Sequence, residues 1–285
     1  MKLLILDGNS VLHRAYYAMP DWRNRSGEAT AGIYGFLAML IKALDELKPT
    51  HLAIVFDHPG PTFRNLMYVG YQTNREKDRQ IFEDIYGQID KLKQVFQLLS
   101  VPVYQIEGFE ADDVIGTLSV QSDCQTVIIT GDRDLMQLVN DKVSLYMPIK
   151  GMSDMQIINR EKVKERLGVY PERVIDYKAL VGDSSDNYPG VQGIGPVGAI
   201  KLIDEFGSFE DIVKKSGNKK VIEGYESGEL SKRLATIRTD APATLDIEKC
   251  LVPSTQKISE VLQELGYKSL VKRVDIKSQE RLFDL

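Results

Sequence analysis

"KLLILDGNS", residues 2–10, is an apolar run that stops at an acid. Asp7 interrupts it too early for a signal-peptide core, so Lys2–Leu6 reads as a buried strand whose carboxyl end carries Asp7. The same arrangement recurs along the chain. "HLAIVF" (51–56) runs into Asp57, "VPVYQI" (101–106) is followed by "EGFEADD" (107–113), and "QTVIIT" (125–130) by "GDRD" (131–134). "KVSLYM" (142–147) supplies a fifth strand. Between the strands lie the helical stretches 31–48, with apolar residues at helical spacing, 80–99 and 111–120. Continuous apolar strands separated by helices predict an α/β fold: a mostly parallel, twisted sheet with helices on both faces.

Beyond residue 160 the pattern turns helical, with "REKVKERLG", "PERVIDYKALVG", "AIKLIDEF", "FEDIVKK", "LSKRLATIR" and "KISEVLQELG". This places an α/β domain over 1–165 and a helical subdomain over 166–285. The polar, partly basic stretch 59–82 has weak periodicity and reads as a long functional loop or arch.

Composition sets bounds. The 285 residues are 43% hydrophobic and 27% charged, as expected of one large domain or two smaller ones. No apolar run approaches the roughly 20 residues of a membrane span. Cys124 and Cys250 form no CxxC pair, which gives neither a zinc site nor a disulfide framework and fits a reducing compartment. The net charge of −5 argues against nucleic acid only at first sight, because nine carboxylates gathered on cations would leave a remainder of +4.

The acids fall into five groups: Asp7; Asp57; Glu110 with Asp112 and Asp113; Asp132 with Asp134; and Asp183 with Asp186 in "GDSSDN". Any one of them suits a turn or a helix cap. Four, however, stand at equivalent strand ends, where open parallel sheets gather their functional groups. Like charges about 4 Å apart cost roughly 1 kcal/mol in water and about 4 at an effective dielectric of 20. A helix N-terminus returns only about 0.3–1 kcal/mol. Convergence therefore calls for hard divalent cations on oxygen ligands, Mg²⁺ or Mn²⁺ rather than zinc. Two such ions suit hydrolysis of a phosphodiester.

"PGVQGIGPVGA" (189–199) punctuates a short apolar hairpin with Gly190, Gly193, Gly195 and Gly198 between helices expected at 171–182 and 197–206. Glycines admit a close phosphate, and the amides of the next helix start donate to it. This is a helix–hairpin–helix pattern, a binder of DNA backbone. Lys201 and the basic stretch Lys214, Lys215, Lys219 and Lys220 either follow a duplex or form a solvated face.

"LDGNSVLHRAYYA", "FDHPGPTFR", "EGFEADDVIGTL", "TGDRDLMQLV" and "GDSSDNYPGVQGIG" together resemble the 5′-nuclease domain of bacterial DNA polymerase I and the stand-alone flap nucleases. The resemblance runs from residue 2 to about 275. It implies a Mg²⁺-dependent structure-specific nuclease acting on DNA 5′ ends, 5′ flaps and RNA primers in replication and repair. Asp7, Asp57, Glu110, Asp112 and Asp113 would hold the tighter ion. Asp132, Asp134, Asp183 and Asp186 would hold the second, in part through water. Arg14 would lie near the scissile phosphate and Arg75 in the arch, with Arg64, Gln72 and Lys77 along the strand. Gly190, Val191, Gly193, Ile194, Gly195 and Lys201 would bind the duplex, with a K⁺ on hairpin carbonyls. The family also implies a monomer in the bacterial cytoplasm, linked to or working beside a DNA polymerase.

Two departures stand out. The family's arch lysine is Gln72 here, in "YQTNR", and the lysine–threonine pair after the hairpin is Val197 and Gly198. An uncharged amide supplies no cationic stabilisation of a phosphate. The departures motivate a second hypothesis, a flap-binding module with little turnover. A phosphatase of the haloacid dehalogenase type would want an acid where Asn9 stands.

Overall fold

In the computed structural model, six strands form one sheet: β1 (Lys2–Asp7), β2 (His51–Val55), β3 (Val103–Tyr104), β4 (Gln125–Ile129), β5 (Val143–Lys150) and β6 (Asp154–Ile158). The structure describes residues 1–19, 22–23, 27, 29–73, 79–150 and 154–274. The strand order is β3-β2-β1-β4-β5-β6. All neighbours run parallel except β5 and β6, whose pairing is antiparallel. The third strand is far shorter than its apolar run suggests, and β6, an antiparallel edge strand, was not anticipated from the sequence.

The alternation of β1 shows why both faces are covered. Leu3 and Ile5 join a core with Val114, Ile115 and Leu118. Leu4 and Leu6 join a second core, on the opposite face, with Leu12, Phe36 and Phe96. The second face is built by α1 (Gly8–Ala18), α2 (Ala31–Leu47) and, after the short α3 (Phe63–Met67), by α4 (Arg79–Leu98). The first face carries α5 (Ala111–Gln121) and the helical region beyond β6.

That region comprises α6 (Arg160–Leu167), α7 (Val174–Val181), α8 (Pro196–Phe206), α9 (Phe209–Lys215), α10 (Lys219–Glu223), α11 (Tyr225–Ala235) and α12 (Thr255–Glu264). Val174, Ala179, Phe209 and Ile212 belong to the same core as Leu3 and Ile5, so the helices continue the sheet's interior. By contrast, Val261 and Leu262 of α12 cross to the other face. Among the described residues no helix is long and apolar enough to cross a membrane.

Candidate nuclease site

Register brings the acids together. Leu6 pairs with Ile129 and Asp7 with Val55, so Asp7, Thr130 and the segment entering Asp57 end at one edge of the sheet. Asp7 is the last residue of β1 and the N-cap of α1. One of its oxygens accepts from the Ser10 amide at 3.0 Å and the other from the Thr130 hydroxyl at 2.7 Å. The Asp57 side chain accepts from the Ala111 amide at 2.7 Å, at the start of α5, and the Asp57 backbone amide donates to the Asn9 side-chain oxygen at 2.9 Å.

Glu110 caps α5, taking the Thr62 hydroxyl at 3.2 Å and the Tyr71 hydroxyl at 3.1 Å. Adjacent helix positions face different ways, and here that separates two neighbouring acids. Asp112 turns toward Asp132, Asp7, Asp57 and Glu110. Asp113 turns inward, fully buried, with both oxygens engaged by the Arg64 fork at 2.7 and 2.9 Å. The Arg238 and Glu110 amides also donate to it.

This pair bears on two sequence expectations. Asp113, expected as a metal ligand, does not turn to the other acids: its oxygens hold a guanidinium and two amides. Nor does Arg64 lie on a DNA surface: it is 2% exposed, bonds the Leu234 and Thr236 carbonyls, and ties the base of the 59–82 stretch to the end of α11.

A second group of acids faces the first. The Lys178 ammonium stands 2.5 Å from Asp134 and also bonds Asp183. Asp183 further accepts from the Ser185 hydroxyl and amide and from the Asp186 amide. The Tyr71 hydroxyl, within 3.1 Å of Glu110 and 3.2 Å of Asp186, joins the two groups. Asp132 links to its neighbour by accepting from the Asp134 amide at 2.8 Å. Lys178 and Tyr71 were missed from sequence. Their positions carried a usable signal, since each precedes an expected site residue within five positions ("DYKALVGD" and "YQ").

Crowding shows in the electrostatics. Burial, then the charges of Asp57 and Asp132, push Asp7 up to about 7 against the pull of its two hydrogen bonds. Burial likewise lifts Glu110 to about 7, although Arg64 opposes it. Asp134 also reaches about 7 through burial, against Lys178. Asp112 lies well above the usual carboxylate range, from burial and then its four acidic neighbours. Asp183 is the exception: burial raises it, but Lys178 and Ser185 together hold it below that range.

With the acids hydrogen-bonded in this way, no three among the described residues stand at the spacing of a single ion's shell. What fits a cation is the donor set, all oxygen, and one orphan. Among the described residues, the Tyr188 hydroxyl is the buried side-chain polar atom without a hydrogen-bond partner. The residues present thus fit hard divalent ions, with Asp7, Asp57, Glu110, Asp112 and Asp132 on one side and Asp134, Asp183 and Asp186 on the other.

The remaining expectations divide. Arg14 lies beside the end of β4, its Nε 3.6 Å from where a Cβ on Gly131 would sit. Gln72 sits in the left-handed region at φ 56°, its amide donating to the Asp186 carbonyl at 2.9 Å. Arg75 and Lys77 fall outside the described residues.

In the hairpin, Gly190 and Val191 are corrected to structural roles. The Gly190 amide donates to Ser231 and the Val191 amide to the Leu180 carbonyl, and the Val191 side chain is buried. Gly190, at φ 65°, packs so closely on Gly182 that a Cβ would lie 2.3 Å from its nitrogen. Gly193, Gly195 and Lys201 are exposed, Ile194 is half-buried, and Gly195 caps α8 beside open space. The Gly193 carbonyl accepts from Lys220 at 3.2 Å.

A mostly parallel sheet with acids at its carboxyl edge, faced by further acids after α7 and with a glycine hairpin alongside, is the arrangement of a 5′-3′ exonuclease fold. Residues 2–168 match the model of the 5′-3′ exonuclease N-terminal, resolvase-like domain, and residues 169–258 that of the 5′-3′ exonuclease C-terminal SAM fold. The chain belongs to the 5′-3′ exonuclease family.

It is 37% identical over 281 residues to the 5′-3′ exonuclease of Aquifex aeolicus, covering 96% of this chain and 95% of that one. It is 38% identical over 291 residues to DNA polymerase I of Caldicellulosiruptor bescii, covering 97% of this chain but 34% of that relative. The chain thus spans about a third of the length of the DNA polymerase I relatives. Among solved structures, T5 D15 protein co-crystallised with metal ions superposes with a TM-score of 0.65 at 21% identity, covering 98% of this chain and 99% of that one. The catalytic core of Rad2 in complex with DNA substrate superposes at 0.57 and 18%, covering 92% and 86%. At such identities these likenesses establish the fold.

Proposed function

We propose that this protein hydrolyses phosphodiester bonds at the 5′ ends and 5′ flaps of DNA and of RNA primers, using two Mg²⁺ or Mn²⁺ ions. The observation that carries this reading is the approach of two acid groups from five chain segments, one at the carboxyl edge of the sheet and one reaching into the turn after α7, joined through the Tyr71 hydroxyl. Divalent ions supply Lewis-acid activation of the attacking water and stabilisation of the leaving oxygen. The protein's own groups position the rest. Thr130, Ser10 and the Ala111 amide fix the carboxylates of Asp7 and Asp57. Arg14, on α1 beside the end of β4, supplies positive charge for the phosphate. The exposed hairpin at Gly193–Gly195 and the N-terminus of α8 hold the duplex backbone without reading its bases, with Lys201 beside them. A K⁺ there would compete with Lys220 for the Gly193 carbonyl.

The two related arrangements, fused to a polymerase and free-standing, both fit a monomer acting in the bacterial cytoplasm. A flap-binding module without turnover is not favoured, because the family models matched over residues 2–168 and 169–258 are those of 5′-3′ exonucleases. A labelled 5′-flap duplex incubated with Mg²⁺, with a chelator, and with an Asp112→Asn variant tests the proposal. Cleavage should require the ion and the Asp112 carboxylate. Intact flap after long incubation in Mn²⁺, with gel shift retained, would establish the binding module instead.

A further inference from the structure

Tyr188 follows "GDSSDN" and is 3% exposed. Its backbone exchanges both hydrogen bonds with Asp183, at 2.9 and 3.0 Å, so the side chain is anchored at the root of the second acid group. The ring packs with Tyr71, Leu234 and Ala235. Its hydroxyl lies within the field of Asp134, Asp183 and Asp186, yet makes no hydrogen bond. The nearby acceptors have other partners: Lys178 bonds Asp134 and Asp183, and Tyr71 bonds Asp186.

A buried phenol that points into acids without a partner is rare, because its hydration is lost with no return. A phenol both accepts and donates. A water on a divalent cation offers a strong donor, and a carboxylate released from Lys178 offers an acceptor. Building on the two-ion reading above, we propose that Tyr188 is a positioning residue for the second divalent cation, its hydroxyl accepting a hydrogen bond from a cation-bound water and donating to one of the flanking carboxylates. The phenol is orphaned only until that shell forms.

The test is Mn²⁺ titration of the whole chain, wild type against Tyr188→Phe, followed by calorimetry and by free-Mn²⁺ resonance, with Tm measured in chelator. Phenylalanine keeps the packing and removes one oxygen. Two Mn²⁺ are expected in the wild type. In the variant the tighter site should be unchanged and the weaker one loosened about tenfold or more, as for other outer-shell partners. In chelator its Tm should equal or exceed the wild type's, since no hydrogen bond is lost. Two ions in both proteins with equal affinities would overturn the assignment of Tyr188 alone. A wild type binding one ion or none would overturn the two-ion reading and this inference together.

Discussion

Arg64 and Asp113, 49 residues apart in the chain, form a two-pronged ion pair at 2.7 and 2.9 Å with both side chains closed to solvent. Breaking a buried pair by removing one partner costs about 3–5 kcal/mol. Asp113→Asn should therefore lower stability by roughly that amount in chemical denaturation, and Arg64→Ala similarly. A variant that keeps wild-type stability while losing only cleavage would return Asp113 to the metal site. For the same reason Asp112→Asn, not Asp113→Asn, is the cleaner inactive control.

Lys178 separates Asp134 from Asp183. Replacing it by methionine leaves two half-buried carboxylates facing each other without a counter-charge. In chelator the Lys178→Met protein should melt several degrees below wild type, and Mn²⁺ should recover more of the loss at about pH 8 than at about pH 5, where protons already do so. Equal melting of the two proteins in chelator would show that the ammonium does not hold the acids together.

The raised carboxylates make stability depend on pH. Asp7, Glu110 and Asp134 titrate near 7 in the fold, against about 4 when unfolded. Between those values the folded chain retains protons that the unfolded chain has released, so stability falls as pH rises from about 4 to about 7 and then levels. Chelator-treated protein should lose several degrees of Tm across that window. Saturating Mn²⁺ should flatten or invert the slope by replacing the protons. A chelator profile that rises with pH would contradict the burial of these groups.

Gln72 is placed next to Asp186, through its backbone, but brings no charge. Gln72→Lys should raise single-turnover cleavage of a 5′ flap by about tenfold or more, the order expected of a cationic contact to the developing charge. No gain, or a loss, in rapid-quench measurements would show that rate is limited elsewhere.

The hairpin glycines should separate by role. Gly190→Ala forces a Cβ into the Gly182 backbone at positive φ and should unfold the hairpin, seen as a large loss of Tm. Gly195→Ala meets open space, so the fold should survive while duplex affinity weakens. Matching behaviour of the two variants in melting and gel shift would refute the division.

Much of this protein was legible in its sequence for local reasons. Apolar runs of strand length between helical repeats dictated a parallel sheet with two covered faces, and an acid after each run dictated where charge would gather. Short-range signals go no further than that. Glu110, Asp112 and Asp113 look alike in "EGFEADD", but one turn of helix sends the third away from the others and into a guanidinium from residue 64. "GDSSDNYPG" gives no hint that its tyrosine hydroxyl is left unpaired, nor that Lys178 stands between Asp134 and Asp183. Period and composition determine which residues form elements. Which charge meets which partner is decided only when segments far apart in the chain pack, because burial turns proximity into obligatory pairing.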